Sequence, residues 1–225
     1  MRLTLGHLAP KSTMSNQQPY AFVGDLHGRT KLLDFILSRD RSERYHYVFV
    51  GDILHHKHHF RNTKRTSPIQ ILKTVNNLVR QGRATLIAGN NENYILNHLI
   101  LPESDVKKKE AKYTLRCLRQ LDLDERLQYI SLLSNSPTHL ELDGYYRLAH
   151  AYYSPNDRQK CLYGPGYAWF KDDQLSAHNI TNTCQYFFGH YGLPYSRENI
   201  RILDATNLEA VGVYYSDREE FMLYY

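Results

Sequence analysis

The segments YAFVGDLHG (residues 20–28), YVFVGD (47–52) and TLIAGN (85–90) share one pattern. In each, a run of apolar, β-prone residues ends in glycine, and a potential metal ligand follows the glycine. The stretches between them, Thr30 to Ser38 and Pro68 to Gln81, carry apolar residues at helical spacing. The first half of the chain is therefore predicted to have the order βαβαβ.

A βαβ succession implies parallel strands joined by right-handed crossovers, so all the strand C-termini lie at one edge of the sheet. Asp25, Asp52 and Asn90 follow the three predicted strands and should therefore lie close together. His27, two residues after Asp25, can point to the same side in an extended segment. Glycine before each ligand allows a sharp turn and leaves room for a bound group.

The second half of the sequence is predicted to be mostly β. A helix is expected from Lys107 to about Ser134, and a hairpin turn at Asp143-Gly144, with His150 in its second strand. The run QYFFGHYG (185–192) repeats the strand-glycine-ligand pattern and ends in His190. IRILDATNLEAVGVYY (200–215) and FMLYY (221–225) complete a mainly antiparallel half.

Six side chains are thus candidate metal ligands: Asp25, His27, Asp52, Asn90, His150 and His190. Imidazole among carboxylate and amide oxygens favours manganese, iron or zinc over calcium or magnesium. A carboxylate can bridge two ions about 3.5–4 Å apart, and such a pair can hold an activated water for in-line attack on a phosphoryl group. Any one of these residues alone would more often be structural, but their joint order after successive strands indicates phosphoester hydrolysis.

Composition sets broader limits. At 225 residues we expect one domain over 19–225, preceded by a flexible tail over 1–18, and no apolar run is long enough to span a bilayer. Three cysteines without a C-x-x-C pair indicate neither a disulfide framework nor a zinc ribbon, which suits a reducing cytoplasm. The net charge of +5 is compatible with an anionic substrate, but in the absence of a nucleic-acid-binding motif it gives little reason to expect nucleic acid as a partner.

The motifs D-x-H-G (25–28), G-D (51–52), G-N-x-E (89–92) and G-H (189–190), together with His150, resemble those of the calcineurin-like metallophosphoesterases. The pattern is most similar to the branch that contains serine/threonine phosphoprotein phosphatases and bacterial dinucleoside-tetraphosphate hydrolases. The resemblance implies an α/β fold, a four-layer αββα sandwich, with attack by a metal-bridging hydroxide. It also implies one metal held by Asp25, His27 and Asp52, and a second held by Asp52, Asn90, His150 and His190.

The sequence departs from the family pattern first at G-D-x-x-D-R-G, where Gly51-Asp52 is followed by ILHHK (53–57). The arginine that clamps phosphate is therefore missing, and histidine or lysine cannot copy its planar fork. Arg29, Lys57 and Arg61 are candidates for substrate binding, and His56 could supply charge or a proton. The alternative is that HHKHH (55–59) is a solvated basic loop.

The second departure is at G-N-H-E, where Asn91 replaces the histidine that protonates the leaving oxygen. Asparagine cannot act as a general acid at neutral pH, although it can donate a hydrogen bond. The predicted catalytic residues are therefore Asp52, Asn91 and His56. This set favours good leaving groups, in nucleotide anhydrides or aryl esters, over phosphoproteins. The alternative is a catalytically weakened module that binds metal and phosphate and acts as a regulator.

Overall fold

The first half of the chain alternates strands and helices as predicted. The elements are β1 (Tyr20–Val23), α1 (Thr30–Ser38), β2 (His46–Phe49), α2 (Pro68–Arg80) and β3 (Ala84–Leu86). β2 pairs in parallel with both β1 and β3. At the start of α2, the Ser67 hydroxyl accepts a hydrogen bond from the Gln70 N–H at 3.2 Å, and Pro68 occupies the first turn. These residues fix the helix start because they satisfy or remove N–H groups that lack a partner inside the helix.

The structure is a computed structural model that describes residues 18–40, 44–54, 67–100, 109–164, 183–197 and 199–225. The predicted tail lies outside these ranges except for Gln18. His56, Lys57 and Arg61, three of the predicted catalytic or substrate-binding residues, also lie outside the described residues. Their predicted roles therefore stay predictions.

A helical region follows β3. It contains α3 (Asn90–Ile100), α4 (Lys109–Arg119) and α5 (Leu123–Asn135). The single helix predicted from Lys107 to Ser134 is therefore two helices, because the Asp122 carboxylate accepts the Glu125 N–H at 2.8 Å and starts α5 as a new helix. Within the described ranges, no helix is both long enough and apolar enough to cross a membrane.

The second half supplies another five-stranded sheet and completes the first. The predicted hairpin joins β4 (His139–Leu142) and β5 (Tyr146–Ala149), and the remaining elements are α6 (Arg158–Tyr163), β6 (Gln185–Phe188), β7 (Tyr195–Arg197), β8 (Ile200–Ile202), β9 (Val211–Tyr215) and β10 (Glu220–Tyr224). The strand orders are β10-β9-β1-β2-β3 and β4-β5-β6-β8-β7. Antiparallel pairs form as expected, but β5, β6 and β8 run parallel in the centre of the second sheet.

The two sheets pack face to face, and helices cover their outer faces. Alternation along β1 shows the arrangement: Phe22 lies in the core between the sheets with Phe187 of β6, whereas Ala21 and Val23 face the helices. Cys161 of α6 packs on the opposite face of the second sheet. The chain thus forms the expected αββα sandwich, in which fully burying one large apolar side chain such as Phe22 contributes about 1.5–3 kcal/mol.

Candidate metal centre

The predicted ligands lie just beyond the ends of strands at one edge of the sandwich. Asp25 stands two residues after β1, Asp52 three after β2, and His190 two after β6. Asn90 is the first residue of α3. His150 directly follows β5. It was predicted to lie within this second hairpin strand, and that prediction was wrong by one residue. The placement of these residues follows from the parallel pairing of β1 with β2 and of β5 with β6.

Three potential ligand atoms of these residues converge, namely His150 Nε2, Asn90 Oδ1 and His190 Nδ1. The His150 Nδ1–H donates to the Val50 carbonyl at 2.9 Å, which leaves the lone pair of His150 Nε2 directed into the site. That atom lies 2.9 Å from Asn90 Oδ1 and 3.2 Å from His190 Nδ1. The Asn90 amide is oriented by its own donation to Asn91 Oδ1 at 3.1 Å.

The distances between these atoms show that the residues are suited to hold a metal ion. His150 Nε2 also lies 3.4 Å from Asp52 Oδ1, and His190 Nδ1 lies 2.9 Å from Asn90 Oδ1. Imidazole nitrogen, amide oxygen and carboxylate oxygen gathered at these distances form a donor set of the kind that holds metal ions in proteins. Ligand atoms of Asp25, Asp52 and His150 lie within 4.8 Å of one another. A second group with the same spacing consists of Asp25, His27 and Asp204. The donor set therefore fits a divalent metal ion.

Asp52 belongs to the first of these two groups, together with Asp25 and His150. Its Oδ1 accepts the Asn91 N–H at 2.9 Å, and its Oδ2 accepts the Asn91 side-chain amide at 2.8 Å. Burial raises the pKa of Asp52, while the nearby His27 and the Asn91 N–H oppose that rise. Asn91 therefore lies beside the Asp52 carboxylate and acts there as a hydrogen-bond donor.

The backbone at the ligands adopts unusual conformations. His27, Asp52 and His190 have φ values of 47°, 48° and 72°, in the left-handed region that non-glycine residues seldom occupy. A Cβ on Gly189 would overlap the Asp25 carboxylate, so only glycine allows His190 and Asp25 to approach each other. These constraints explain why glycine precedes ligands in the sequence.

Asp204 belongs to the site although the sequence comparison gave it no role. It is fully buried two residues after β8, and its Oδ2 accepts the Gly192 N–H at 2.5 Å. Its Oδ1 accepts the N–H and the hydroxyl of Thr206 at 2.9 and 2.5 Å. No glycine precedes Asp204, so the strand-glycine-ligand pattern missed it. Its position two residues after a strand, as for Asp25 and His190, is the signal that could have identified it.

Glu92, the last residue of the G-N-x-E motif, holds the ligand loops together. It is fully buried, and its carboxylate accepts the N–H groups of Asp52, Leu54 and Gly89 at 2.7, 3.0 and 3.0 Å. Burial raises the pKa of Glu92 to about 8; the Asp52 carboxylate adds to this rise, and the three N–H donors oppose it. Glu92 therefore positions the loops after β2 and β3.

Glu92→Ala is expected to lower the free energy of unfolding by at least about 3 kcal/mol, because three buried N–H groups would lose their acceptor. Glu92→Gln should cost less, about 1–2 kcal/mol, because the amide keeps one acceptor oxygen. Urea unfolding measures both values, with exposed Asp124→Ala as a control that should change stability by less than about 0.5 kcal/mol. Equal stability of the Glu92 and Asp124 variants would contradict this role.

Arg29, whose role in substrate binding stays a prediction, lies against the loop that carries Asp25. The side chain is buried, its Nε donates to the Leu26 carbonyl at 2.9 Å, and Nη2 donates to the Asp25 carbonyl at 2.8 Å. Burial lowers the pKa of Arg29 to about 10, and Asp204 and Asp25 partly oppose the shift. In this conformation Arg29 supports the loop that carries Asp25 and His27.

Comparison with known proteins agrees with this geometry. A family model for the calcineurin-like phosphoesterases matches residues 18–216. A search of curated protein sequences finds no significant match.

Among solved structures, one provisionally assigned as a diadenosine tetraphosphatase is 16% identical, with a TM-score of 0.58 over 93% of this chain and 95% of that chain. A serine/threonine phosphatase from Saccharomyces cerevisiae is 12% identical, with a TM-score of 0.58 over 92% and 79% of the respective chains. A cold-active protein tyrosine phosphatase gives 12% identity and a TM-score of 0.56 over 92% and 77%. At these identities the likeness shows the shared fold.

Proposed function

The chain belongs to the calcineurin-like phosphoesterase family, and on that premise we propose that it is a two-metal phosphoesterase that hydrolyses phosphate esters or nucleotide phosphoanhydrides. The convergence of His150 Nε2, His190 Nδ1 and Asn90 Oδ1 beside the Asp52 carboxylate carries this proposal. A cluster of imidazole, amide and carboxylate groups at the C-terminal edge of parallel strands suits metal binding far better than a structural role.

The proposed ligands form two sets, one for each metal ion. Asp25, His27 and Asp52 would hold one ion, and Asp52, Asn90, His150 and His190 the other. The ions, when bound, supply an activated water and neutralise the charge that develops on the phosphoryl group. The Val50 carbonyl orients His150, and Glu92 holds the Asp52 loop, so the ligands are arranged before substrate arrives.

Asn91 determines which leaving groups the site handles well. Its side-chain N–H₂ already donates to Asp52 Oδ2 at 2.8 Å, and it has no proton to transfer at neutral pH. A departing phosphate or phenolate needs little protonation, whereas an alkoxide needs much. We therefore favour nucleotide anhydrides and aryl phosphates as substrates over phosphoserine proteins, unless His56 supplies the proton.

The proposed metal rests on the ligand types, and the proposed cellular location rests on the cysteines. Imidazole and carboxylate ligands together suit manganese best, with iron or zinc as alternatives. The three cysteines are free in the structure, which is consistent with a reducing compartment such as the cytoplasm. No membrane partner is proposed.

An alternative is a regulatory module that binds metal and phosphate with weakened catalysis. Two sequence observations support it: Asn91 stands where the family has its general acid, and the clamping arginine is missing from the motif at Gly51–Lys57. Both alternatives predict that the protein binds metal. They differ in that only the enzyme releases phosphate at a measurable rate.

The test is phosphate release by metal-stripped protein reloaded with manganese, on an aryl phosphate, a dinucleoside tetraphosphate and a phosphopeptide. We expect about two bound ions per chain and release that is fastest from the first two substrates. His150→Ala should lower the bound metal, whereas His98→Ala, outside the ligand cluster, should leave it unchanged. Stoichiometric metal binding without release from any substrate would exclude the enzyme and support the module.

A further inference from the structure

Helix α6 lies beside the ligand cluster. Ala151, the residue after His150, donates its N–H to the Cys161 carbonyl of α6 at 2.8 Å. The Tyr191 hydroxyl donates to the Ala151 carbonyl at 2.6 Å, and the Tyr191 ring meets the His190 ring edge-on, with centroids 5.4 Å apart. The helix is therefore fixed to the chain next to His150 and His190, two of the proposed metal ligands.

Both ends of this helix meet the first turn of α3. Arg158 Nη2 donates to Asn93 Oδ1 at 3.2 Å, and the Asn93 amide donates to the Tyr163 hydroxyl at 3.3 Å. Asn93 is three residues after the ligand Asn90, on the same face of the helix, where successive side chains lie roughly 5–6 Å apart. Arg158 is consequently placed about one helical turn outward from the ligand cluster.

The charge of Arg158 is available to a ligand. The side chain is exposed to solvent, and no carboxylate in the described part of the chain forms an ion pair with it. Arg29 offers a contrast, because its guanidinium is buried and bonded to two backbone carbonyls. Guanidinium groups bind phosphate oxygens by charge-assisted hydrogen bonds, often two at once.

We propose that Arg158 binds a second, non-reacting phosphoryl group of a polyphosphate substrate, next to the group that is attacked at the metals. This inference rests on the proposed function and narrows it to substrates with consecutive phosphates. The position of Arg158, one turn outward from Asn90, suits the neighbouring phosphate better than the reacting one. Arg158 thereby supplies arginine chemistry that the altered G-D-x-x-D-R-G motif lacks.

A purely structural role for Arg158 would consist in tying α6 to α3 through Asn93. The structural role requires the hydrogen bond to Asn93, whereas the substrate-binding role requires the positive charge. Arg158→Gln keeps a donor for Asn93 Oδ1 and removes the positive charge, so it separates the hydrogen bond from the charge. Lys160→Ala is the matched control, because Lys160 lies on the same helix and pairs with Asp157 at 3.3 Å.

The experiment compares the KM for a dinucleoside tetraphosphate with the KM for an aryl monophosphate in manganese-loaded full-length protein. Arg158→Ala and Arg158→Gln should each raise the KM for the tetraphosphate roughly tenfold, the loss of one charge-assisted contact. Both should leave the KM for the aryl phosphate within about twofold, and Lys160→Ala should change neither. A wild-type KM in Arg158→Gln, or equal increases for both substrates, would overturn the proposal.

A binding measurement decides the same point without turnover. Methylene diphosphonate and methylphosphonate are titrated calorimetrically into manganese-loaded wild type, Arg158→Gln and Lys160→Ala. We expect roughly tenfold weaker binding of the diphosphonate to Arg158→Gln alone, and unchanged binding of the monophosphonate. Unchanged diphosphonate binding would overturn the role of Arg158. Failure of the proposed hydrolase is a different result, namely absence of phosphate release from every substrate by the wild type.

Discussion

Asp52→Asn is expected to lower phosphate release by manganese-loaded protein at least about a thousandfold. Asp52 accepts from Asn91 through both carboxylate oxygens and lies 3.4 Å from His150 Nε2, so its negative charge lies among the proposed metal ligands. Asparagine keeps the shape but removes that charge and one acceptor. A bound ion contributes several kcal/mol to the stabilisation of the transition state, and about 1.4 kcal/mol corresponds to a tenfold change in rate.

The matched control for this variant is Asp34→Asn, which removes an exposed carboxylate from α1. It should release phosphate at the wild-type rate. Bound metal and the circular dichroism spectrum of both variants show whether Asp52→Asn has lost an ion or the fold. Wild-type release by Asp52→Asn would rule out its role as a bridging ligand, and with it the two-metal mechanism.

The second large effect concerns the leaving group. We expect this protein to turn over an aryl phosphate much faster than an alkyl phosphate. The ratio of the two rates should be about 100 times or more the ratio for a family member that has histidine at the position of Asn91. The reason is that the Asn91 amide, which donates to Asp52 Oδ2 at 2.8 Å, has no proton to transfer to the departing oxygen. Steady-state kcat/KM for the two esters, measured on one preparation, gives the ratio.

Asn91→His provides the complementary test, because it restores a titratable group beside Asp52. It should raise turnover of the alkyl ester and leave the aryl ester nearly unchanged, so the ratio should narrow. Equal turnover of both esters by the wild type would refute the argument and would point to another proton donor, such as His56.

The sequence predicted those parts of the molecule that depend on local patterns. The strand-glycine-ligand repeat identified β1, β2 and β6 with Asp25, Asp52 and His190, because glycine is required where backbone and ligand approach closely. The break between α4 and α5 was missed, since helix-forming residues continue through it and a single cap at Asp122 decides the outcome.

Other features depend on tertiary contacts that no local pattern reveals. Arg158 and Asn93 are 65 residues apart in the chain, and only the packing of α6 on α3 brings them together. The burial of Arg29 and its hydrogen bonds to two backbone carbonyls were equally invisible to the sequence pattern. Asp204 lacked the preceding glycine on which the pattern relied.

The left-handed backbone at His27, Asp52 and His190 has an evolutionary consequence. Each such residue costs the folded chain roughly 1–2 kcal/mol relative to a relaxed conformation, and glycine would relieve most of that cost. Mutation and drift therefore tend to erode these positions wherever metal binding brings no advantage, since proteins lie only slightly above the stability that they need. A lineage that lost its substrate would be expected to lose these three side chains early, before its hydrophobic core changed.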